Sequence, residues 1–255
     1  MNVAQYAHLL DREYKIIKGF TIDTFEVNSP SFYYGTGLSL NLPVRLNILQ
    51  KYFPRMKNFY PISILPGISM INITFFDFID SPVQPYFEFV ISIPISNKSK
   101  LLSFLDLYRS RNSFCVLDIY QSTRLAINHG DILTGYPHNH RVISGSFNIN
   151  NDSGIIDVNM DSLPIIKLSF RYNRDYRMIH NRYPTLYEKD KNINMIEMDI
   201  HGKEHKAIID NIEFLNDCDL TAKMGDLIRN NQYIMPRFYS EILEVNPVNK
   251  SIIND

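Results

Sequence analysis

The chain has 255 residues, of which 45% are hydrophobic, and this is enough apolar material for one sizeable folded core. Its 26 basic and 27 acidic residues leave a formal net charge of -1, which excludes the broad positive field of proteins that bind nucleic acids or anionic membranes. Charged side chains interrupt the first twenty residues, and no segment reaches the roughly 18 to 20 apolar residues that a membrane helix needs. We therefore expect a cytoplasmic protein with neither nucleic acid nor membrane as a partner.

The two cysteines, Cys115 and Cys218, lie far apart in the sequence and form no CxxC spacing. This pattern argues against a disulfide framework and against a structural zinc site. We predict two free buried thiols and no cofactor.

The N-terminal part of the chain combines helical and strand patterns. Apolar residues from Val3 to Ile17 recur at steps of four and three, which predicts an amphipathic helix that Gly19 ends. Runs rich in β-branched and aromatic residues then predict strands over 21–27 and 31–40. Pro43 precedes a short helical pattern that Pro54 ends.

The segment 86–95 alternates strictly between two kinds of side chain. Phe87 and every second residue to Ile95 are apolar and share one face of a strand, so Tyr86, Glu88 and Val90 point to the other face. The alternation therefore places Glu88 on a face with few other charges.

Further strand patterns follow along the rest of the chain, at 71–78, 114–120, 142–149, 155–158, 165–172, 195–200 and 207–214. His201, Gly202 and Lys203 suggest a hairpin turn with solvent-exposed histidines, and the polar stretch 173–192 suggests an exposed excursion. Strands and helices do not alternate as βαβ units along the chain. These elements therefore predict a mainly β fold with an antiparallel β-barrel-like sheet and a few short helices. We expect residues 1–255 to form a single domain.

Two motifs resemble the acetoacetate decarboxylase family. The first is Pro85-Tyr86-Phe87-Glu88 at the start of its strand, which is similar to the family's Pro-Tyr-x-Glu strand. The second is a helix over about 122–132 with Ser122 as its N-cap, which contains Ala126 and Gly130 and leads to Gly135-Tyr136-Pro137. The resemblance covers about residues 43–171 and implies a β-barrel-like domain with a small-molecule pocket at the mouth of the barrel.

The position after the Tyr-Pro dipeptide departs from the family pattern. The family places a lysine there, which forms an iminium with the substrate ketone, whereas this chain has His138, followed by Asn139. An imidazole cannot form a stable iminium, so we expect Schiff-base decarboxylation to be absent. The family also has a second carboxylate residue, and its position falls near Thr74 of this chain. The family's N-terminal arginine has no counterpart around residues 33–35.

The resemblance implies that His138 and Glu88 lie in one pocket as candidate catalytic residues. An imidazole can move protons at neutral pH, and Glu88 could orient it or take the complementary role. Tyr136, Tyr86 and Arg141 are the candidate substrate-binding residues, with Arg141 or protonated His138 as the cation for an acidic ligand.

Alternative interpretations remain open for these side chains. His138 and His140 form an HxH pair that could ligate a metal ion with Glu88, or could simply hydrogen-bond at the start of a strand, and we predict no metal site. Glu88 could equally be a buried carboxylate paired with an arginine. His129, close to a helix C-terminus, suggests a favourable contact with the helix dipole.

Two functions from different classes are compatible with this sequence. One is a lyase-type enzyme that acts on a small oxo or carboxylic acid by acid and base catalysis. The other is a non-catalytic small-ligand-binding protein that keeps only the fold. Assembly into a homo-oligomer is possible for either.

Overall fold

The computed structural model describes residues 3–12, 14, 17–22, 25–53, 56, 59–97, 103, 113–189, 192–215, 234–246 and 251–253. Cys218 lies outside these residues, and Cys115 is a buried free thiol, as predicted for it. The described elements, in chain order, are a 3-10 helix Val3–Leu9, β1 Ile17–Ile22, β2 Phe25–Ser29, β3 Ser31–Arg45, α1 Leu46–Leu49, β4 Tyr60–Pro61, β5 Ser63–Leu65, β6 Ile68–Asp80, β7 Tyr86–Ser96, β8 Ser113–Gln121, α2 Arg124–Leu133, β9 Ile143–Ile149, β10 Ser153–Met160, β11 Leu163–Lys189, β12 Asn192–Phe214, β13 Ile234–Asn246 and β14 Ser251–Ile253.

Seven strands form a closed ring. The pairing runs β12, β13, β3, β6, β7, β8 and β11, and β11 pairs again with β12 to complete the circle. The β8–β11 pairing is parallel at Thr185↔Phe114 and Leu186↔Cys115, and the other neighbours in the ring are antiparallel. The mainly antiparallel, barrel-like fold expected from the sequence is therefore confirmed.

The alternation predicted for β7 separates the inside of the ring from a large hydrophobic core outside it. Phe87, Phe89 and Ile91 belong to that outer core, together with apolar residues of β3, β6, β10 and the first half of β11. Tyr86 and Glu88 face the interior of the ring. Period-two patterning thus fixed the side of the sheet on which Glu88 lies.

The predicted N-terminal helix is too long. The helical residues end at Leu9, and Gly19 lies within β1, which pairs with β2. Tyr14, expected on the apolar face of the helix, instead binds Asp199 and His201 through its hydroxyl group. Arg12 also binds Asp199, so the described residues after the helix make tertiary contacts with β12.

The predicted hairpin turn at 201–203 is wrong, and the predicted exposed excursion at 173–192 is correct only for the exposure of residues 173–178. β12 runs unbroken through Gly202, where a Cβ atom would lie 2.3 Å from the Glu241 carbonyl oxygen, so this glycine permits close strand approach instead of a turn. His201 and His205 are buried, contrary to the expected exposure. Most of the polar stretch belongs to β11, whose second half pairs with β12.

Helix α2 agrees with the sequence prediction within two residues. Its N-cap is Thr123, whose hydroxyl accepts a hydrogen bond from the Ala126 amide, whereas the predicted cap, Ser122, accepts one from the Phe87 amide. The helix is followed by Gly135 with a φ of 69°, a left-handed conformation that favours glycine. Among the described residues, no helix combines the length and the apolar character that crossing a membrane requires.

Candidate functional site

The interior of the ring contains a cavity of about 140 Å³. All seven ring strands contribute lining residues, and α2 with the segment after it closes part of the wall. The lining is rich in tyrosine and has, besides the tyrosines, a small set of ionisable and amide side chains, namely Glu88, Glu244, Asn72, Gln121, Asn246, His129 and His138. No lysine or arginine occurs among the described lining residues.

Glu88 lies on β7 directly opposite Gln121 on β8. Gln121 Nε2 donates a hydrogen bond of 2.6 Å to Glu88 Oε2. Burial raises the pKa of Glu88 to about 8, the charge of Glu244 acts in the same direction, and the hydrogen bonds from Gln121 and Tyr86 oppose them. The raised pKa therefore favours the protonated form of Glu88.

Glu244 lies on β13 and is the second carboxyl group of the cavity. Asn246, two residues further along the same face, donates a hydrogen bond of 2.7 Å from Nδ2 to Glu244 Oε1. Burial raises the pKa of Glu244 to about 7, and the carboxyl group titrates together with Glu88. Two acids that share one desolvated space retain a proton between them, since ionising both would place like charges together.

Three buried polar atoms of the lining have no hydrogen-bond partner among the described residues: Gln121 Oε1, Asn246 Oδ1 and His129 Nε2. The other end of each amide is already bound to a carboxyl group. Buried polar groups are normally paired, so these atoms are available to a ligand or to water. Two of them belong to the amides that bind the carboxyl groups, and the third belongs to a histidine of the same cavity.

His138 is held against α2 by the backbone and by its own ring. Ile119 of β8 forms hydrogen bonds with Pro137 and Asn139 on either side of His138. His138 Nδ1 lies 3.0 Å from Asp131 Oδ1, and because a carboxylate only accepts, Nδ1 carries the hydrogen. Burial lowers the pKa of His138, although Asp131 acts in the opposite direction, so the neutral ring keeps a lone pair on Nε2.

Gly130 makes room for that ring. A Cβ atom at position 130 would lie 2.3 Å from His138 Nε2, which is closer than real contacts allow. The glycine that the sequence motif contains is therefore a packing requirement of the histidine beside it.

His129 is buried and lines the cavity, which differs from the expected contact with the helix dipole. Its Nδ1 lies 3.2 Å from the Tyr33 hydroxyl. Burial lowers the pKa of His129 to about 4, and the nearby His138 adds to this effect. The ring is therefore neutral across the physiological range.

The other predicted site residues fall into two groups. Tyr86 and Tyr136 line the cavity, and the Tyr136 hydroxyl contacts the Thr185 hydroxyl. Arg141 is not among the lining residues, and its Nη1 lies 3.9 Å from Met160 Sδ. His140 is exposed, so the geometry does not bring the HxH pair together with Glu88.

Sequence reasoning missed Glu244, Gln121 and Asn246. Gln121 directly follows the predicted strand 114–120, and its pairing with Glu88 depends on the β7–β8 register. Glu244 and Asn246 alternate with Leu243 and Val245, which are buried on the opposite face. That period-two pattern of polar residues in an apolar strand was the signal available for them.

No protein-family model matches the chain, and no curated protein matches it. Solved structures do share its fold. An acetoacetate decarboxylase is 13% identical with a TM-score of 0.60, covering 89% of this chain and 90% of its own. The acetoacetate decarboxylase of Legionella pneumophila subsp. pneumophila str. Philadelphia 1 is 10% identical with a TM-score of 0.63, covering 100% and 96%.

A third similar structure is the enduracididine biosynthesis enzyme MppR complexed with pyruvate. It is 11% identical with a TM-score of 0.56, and the match covers 90% of this chain and 92% of that one. The chain therefore has the acetoacetate decarboxylase-like fold that the two sequence motifs indicated. At these identities the likeness concerns the fold and not the activity.

Proposed function

We propose that this chain binds a small oxo acid in the ring cavity and moves protons on it by acid and base catalysis without a Schiff base. The observation that carries the proposal is the buried carboxyl pair, Glu88 and Glu244, whose pKa values are both raised. Perturbed acids in a concave, mostly apolar space are typical of catalytic sites. A cavity of about 140 Å³ suits a ligand of about six non-hydrogen atoms, such as pyruvate, because a cavity of roughly that volume holds benzene.

The charge of the lining determines how an oxo acid could be received. With no lysine or arginine among the described lining residues, the ligand's oxygen atoms must accept hydrogen bonds from uncharged donors. Protonated Glu88 is such a donor, since Oε2 already accepts from Gln121 and the proton can reside on Oε1. Ionised Glu88 would instead repel the ligand, so binding depends on the proton.

Glu88 and His138 supply the two proton transfers of an enolisation. His138, neutral and oriented by Asp131, takes the proton from the carbon next to the ketone through Nε2. Glu88 gives its proton to the ketone oxygen, and the C–H electron pair becomes the enol double bond. Atoms and charges balance, and no lysine takes part.

Deuterium exchange of pyruvate tests this proposal. In deuterated buffer, the wild type should replace the methyl hydrogens of pyruvate faster than buffer does, as followed by proton NMR. Glu88→Gln and His138→Gln should each slow the protein-dependent exchange by about 10²-fold or more. Lys167→Met, on an exposed position of β11 outside the cavity, is the matched control and should exchange at the wild-type rate.

The outcomes separate the enzyme from the non-catalytic alternative. Binding of pyruvate or acetoacetate without exchange would leave a small-ligand-binding protein that keeps only the fold. Absence of binding by either acid would reject the oxo-acid pocket altogether.

A further inference from the structure

A second polar cluster lies outside the cavity and consists of Asp11, His180 and His201, here called the histidine cluster. His180 on β11 pairs directly with His201 on β12, so the two rings share one face of the sheet. Their Nδ1 atoms are 3.1 Å apart, and His201 Nδ1 lies 3.5 Å from Asp11 Oδ1. The three ligand atoms all lie within 4.8 Å of one another, and none of these residues lines the cavity.

Tyr14 and Asp199 determine which nitrogen of His201 carries the hydrogen. The Tyr14 hydroxyl donates its single hydrogen to Asp199 Oδ2 at 2.9 Å, because a carboxylate can only accept. The contact of 2.8 Å between Tyr14 and His201 Nε2 must then be an N–H of the ring donating to the tyrosine oxygen. With Nε2 bound to Tyr14, Nδ1 is the ring nitrogen of His201 that faces His180 and Asp11.

Three atoms that can each ligate a metal ion therefore face one another. His201 Nδ1 lies 3.5 Å from Asp11 Oδ1 and 3.1 Å from His180 Nδ1. One cation between the three atoms satisfies all of them. Zinc binds imidazole and carboxylate ligands at about 2.0 to 2.1 Å, so two ligand atoms of a tetrahedral zinc site lie about 3.3 Å apart. Two of the three spacings, 3.1 and 3.5 Å, bracket that value, and the third, between His180 and Asp11, is within 4.8 Å.

We propose that the histidine cluster binds a divalent transition-metal ion of the zinc type. Asp11 and His180 are exposed at the surface, so water can fill the fourth position, while His201 is buried and held in place by Tyr14. Tyr14 and Asp199 act as positioning residues, the role that hydrogen-bonded partners of metal-bound histidines have in known sites. Nearby Arg12 and Arg182 both bind Asp199. The ion would join the N-terminal segment to β11 and β12.

Titration of the chelator-treated full chain with Zn²⁺ and Co²⁺ tests the site. The wild type should bind one equivalent of either ion, and bound Co²⁺ should show the intense visible absorption of tetrahedral coordination. Asp11→Asn and His180→Asn change exposed side chains and should each weaken Zn²⁺ affinity by at least tenfold. Tyr14→Phe should weaken it by about 10- to 100-fold, as loss of such partners does elsewhere. His140→Asn, which changes an exposed histidine outside the cluster, is the control and should bind like the wild type.

Two results would overturn the proposal. Absence of stoichiometric binding by the wild type would reject the site. Unchanged affinity in both Asp11→Asn and His180→Asn would show that the ion binds elsewhere. Stoichiometric Zn²⁺ that is lost in both variants and kept in His140→Asn supports the cluster, whatever the outcome of the pyruvate experiment.

Discussion

Glu88 and Gln121 lie directly opposite each other on β7 and β8, and Gln121 Nε2 donates to Glu88 Oε2 at 2.6 Å. A hydrogen bond of this kind favours the ionised carboxylate, yet the pKa of Glu88 is raised. Burial is the largest cause of the rise, and the charge of Glu244 adds to it. Desolvation therefore outweighs the hydrogen bond, and the glutamine orients an acid that remains protonated.

The raised pKa of Glu88 makes the stability of the fold dependent on pH. Because the folded state holds this proton more tightly than the unfolded state, stability is lost as pH rises from the ordinary glutamate pKa towards about 8. Glu88→Gln cannot ionise, so we expect it to gain about 1 to 3 kcal/mol relative to wild type between pH 5 and pH 8. Urea unfolding at both pH values measures this, with the exposed Glu197→Gln as a control that should show no such gain. Parallel pH profiles of Glu88→Gln and wild type would contradict the raised pKa.

Binding of an oxo acid should weaken as pH rises. If protonated Glu88 receives the ligand, the Kd of pyruvate should increase by about tenfold between pH 7 and pH 9, since the protonated fraction falls above a pKa near 8. Calorimetric titration of the wild type and of Glu88→Gln gives both dependences, and the variant should show a much flatter one. A Kd that decreases with pH would show that the ionised carboxyl pair is the binding form.

No covalent imine should form between this chain and a ketone substrate. The described lining of the cavity contains no lysine, and the resemblance of the sequence motifs implies that His138 stands where the family has one. Incubation with acetoacetate and borohydride should leave the intact mass unchanged. His138→Lys is the positive control, because a buried amine has a lowered pKa and can attack a ketone. An adduct on the wild type would assign the chemistry to another lysine.

Gly130→Ala should displace the His138 ring. A methyl group there would lie 2.3 Å from His138 Nε2, so the ring must move and its contact with Asp131 must lengthen. We expect a loss of about 1 to 3 kcal/mol in unfolding free energy and slower pyruvate exchange. Denaturant unfolding and histidine-selective NMR measure the two effects. Ile132→Ala, exposed on the same helix, should leave the His138 resonances in place.

The sequence by itself determined the features that depend on local periodicity. Strict alternation in 86–95 assigned Glu88 to the face that proved to be the ring interior, and the capping pattern located α2 to within two residues. The resemblance motifs identified the fold and the two side chains, Glu88 and His138, that line one cavity. These features follow from side-chain direction along one strand or helix, which neighbouring residues fix.

Only the tertiary structure decided which strands pair, and strand pairing determines which side chains share the cavity. Glu244 and Asn246 join Glu88 because the ring closes through β13, a pairing between residues far apart in the sequence. The polar residues of β11 and β12 suggested a loop and a turn. A local sequence pattern does not reveal which residues pair across strands, as His180 and His201 do. Likewise, the pKa of Glu88 comes from desolvation and from a second carboxyl group that ring closure brings close, and neither cause is local in the sequence.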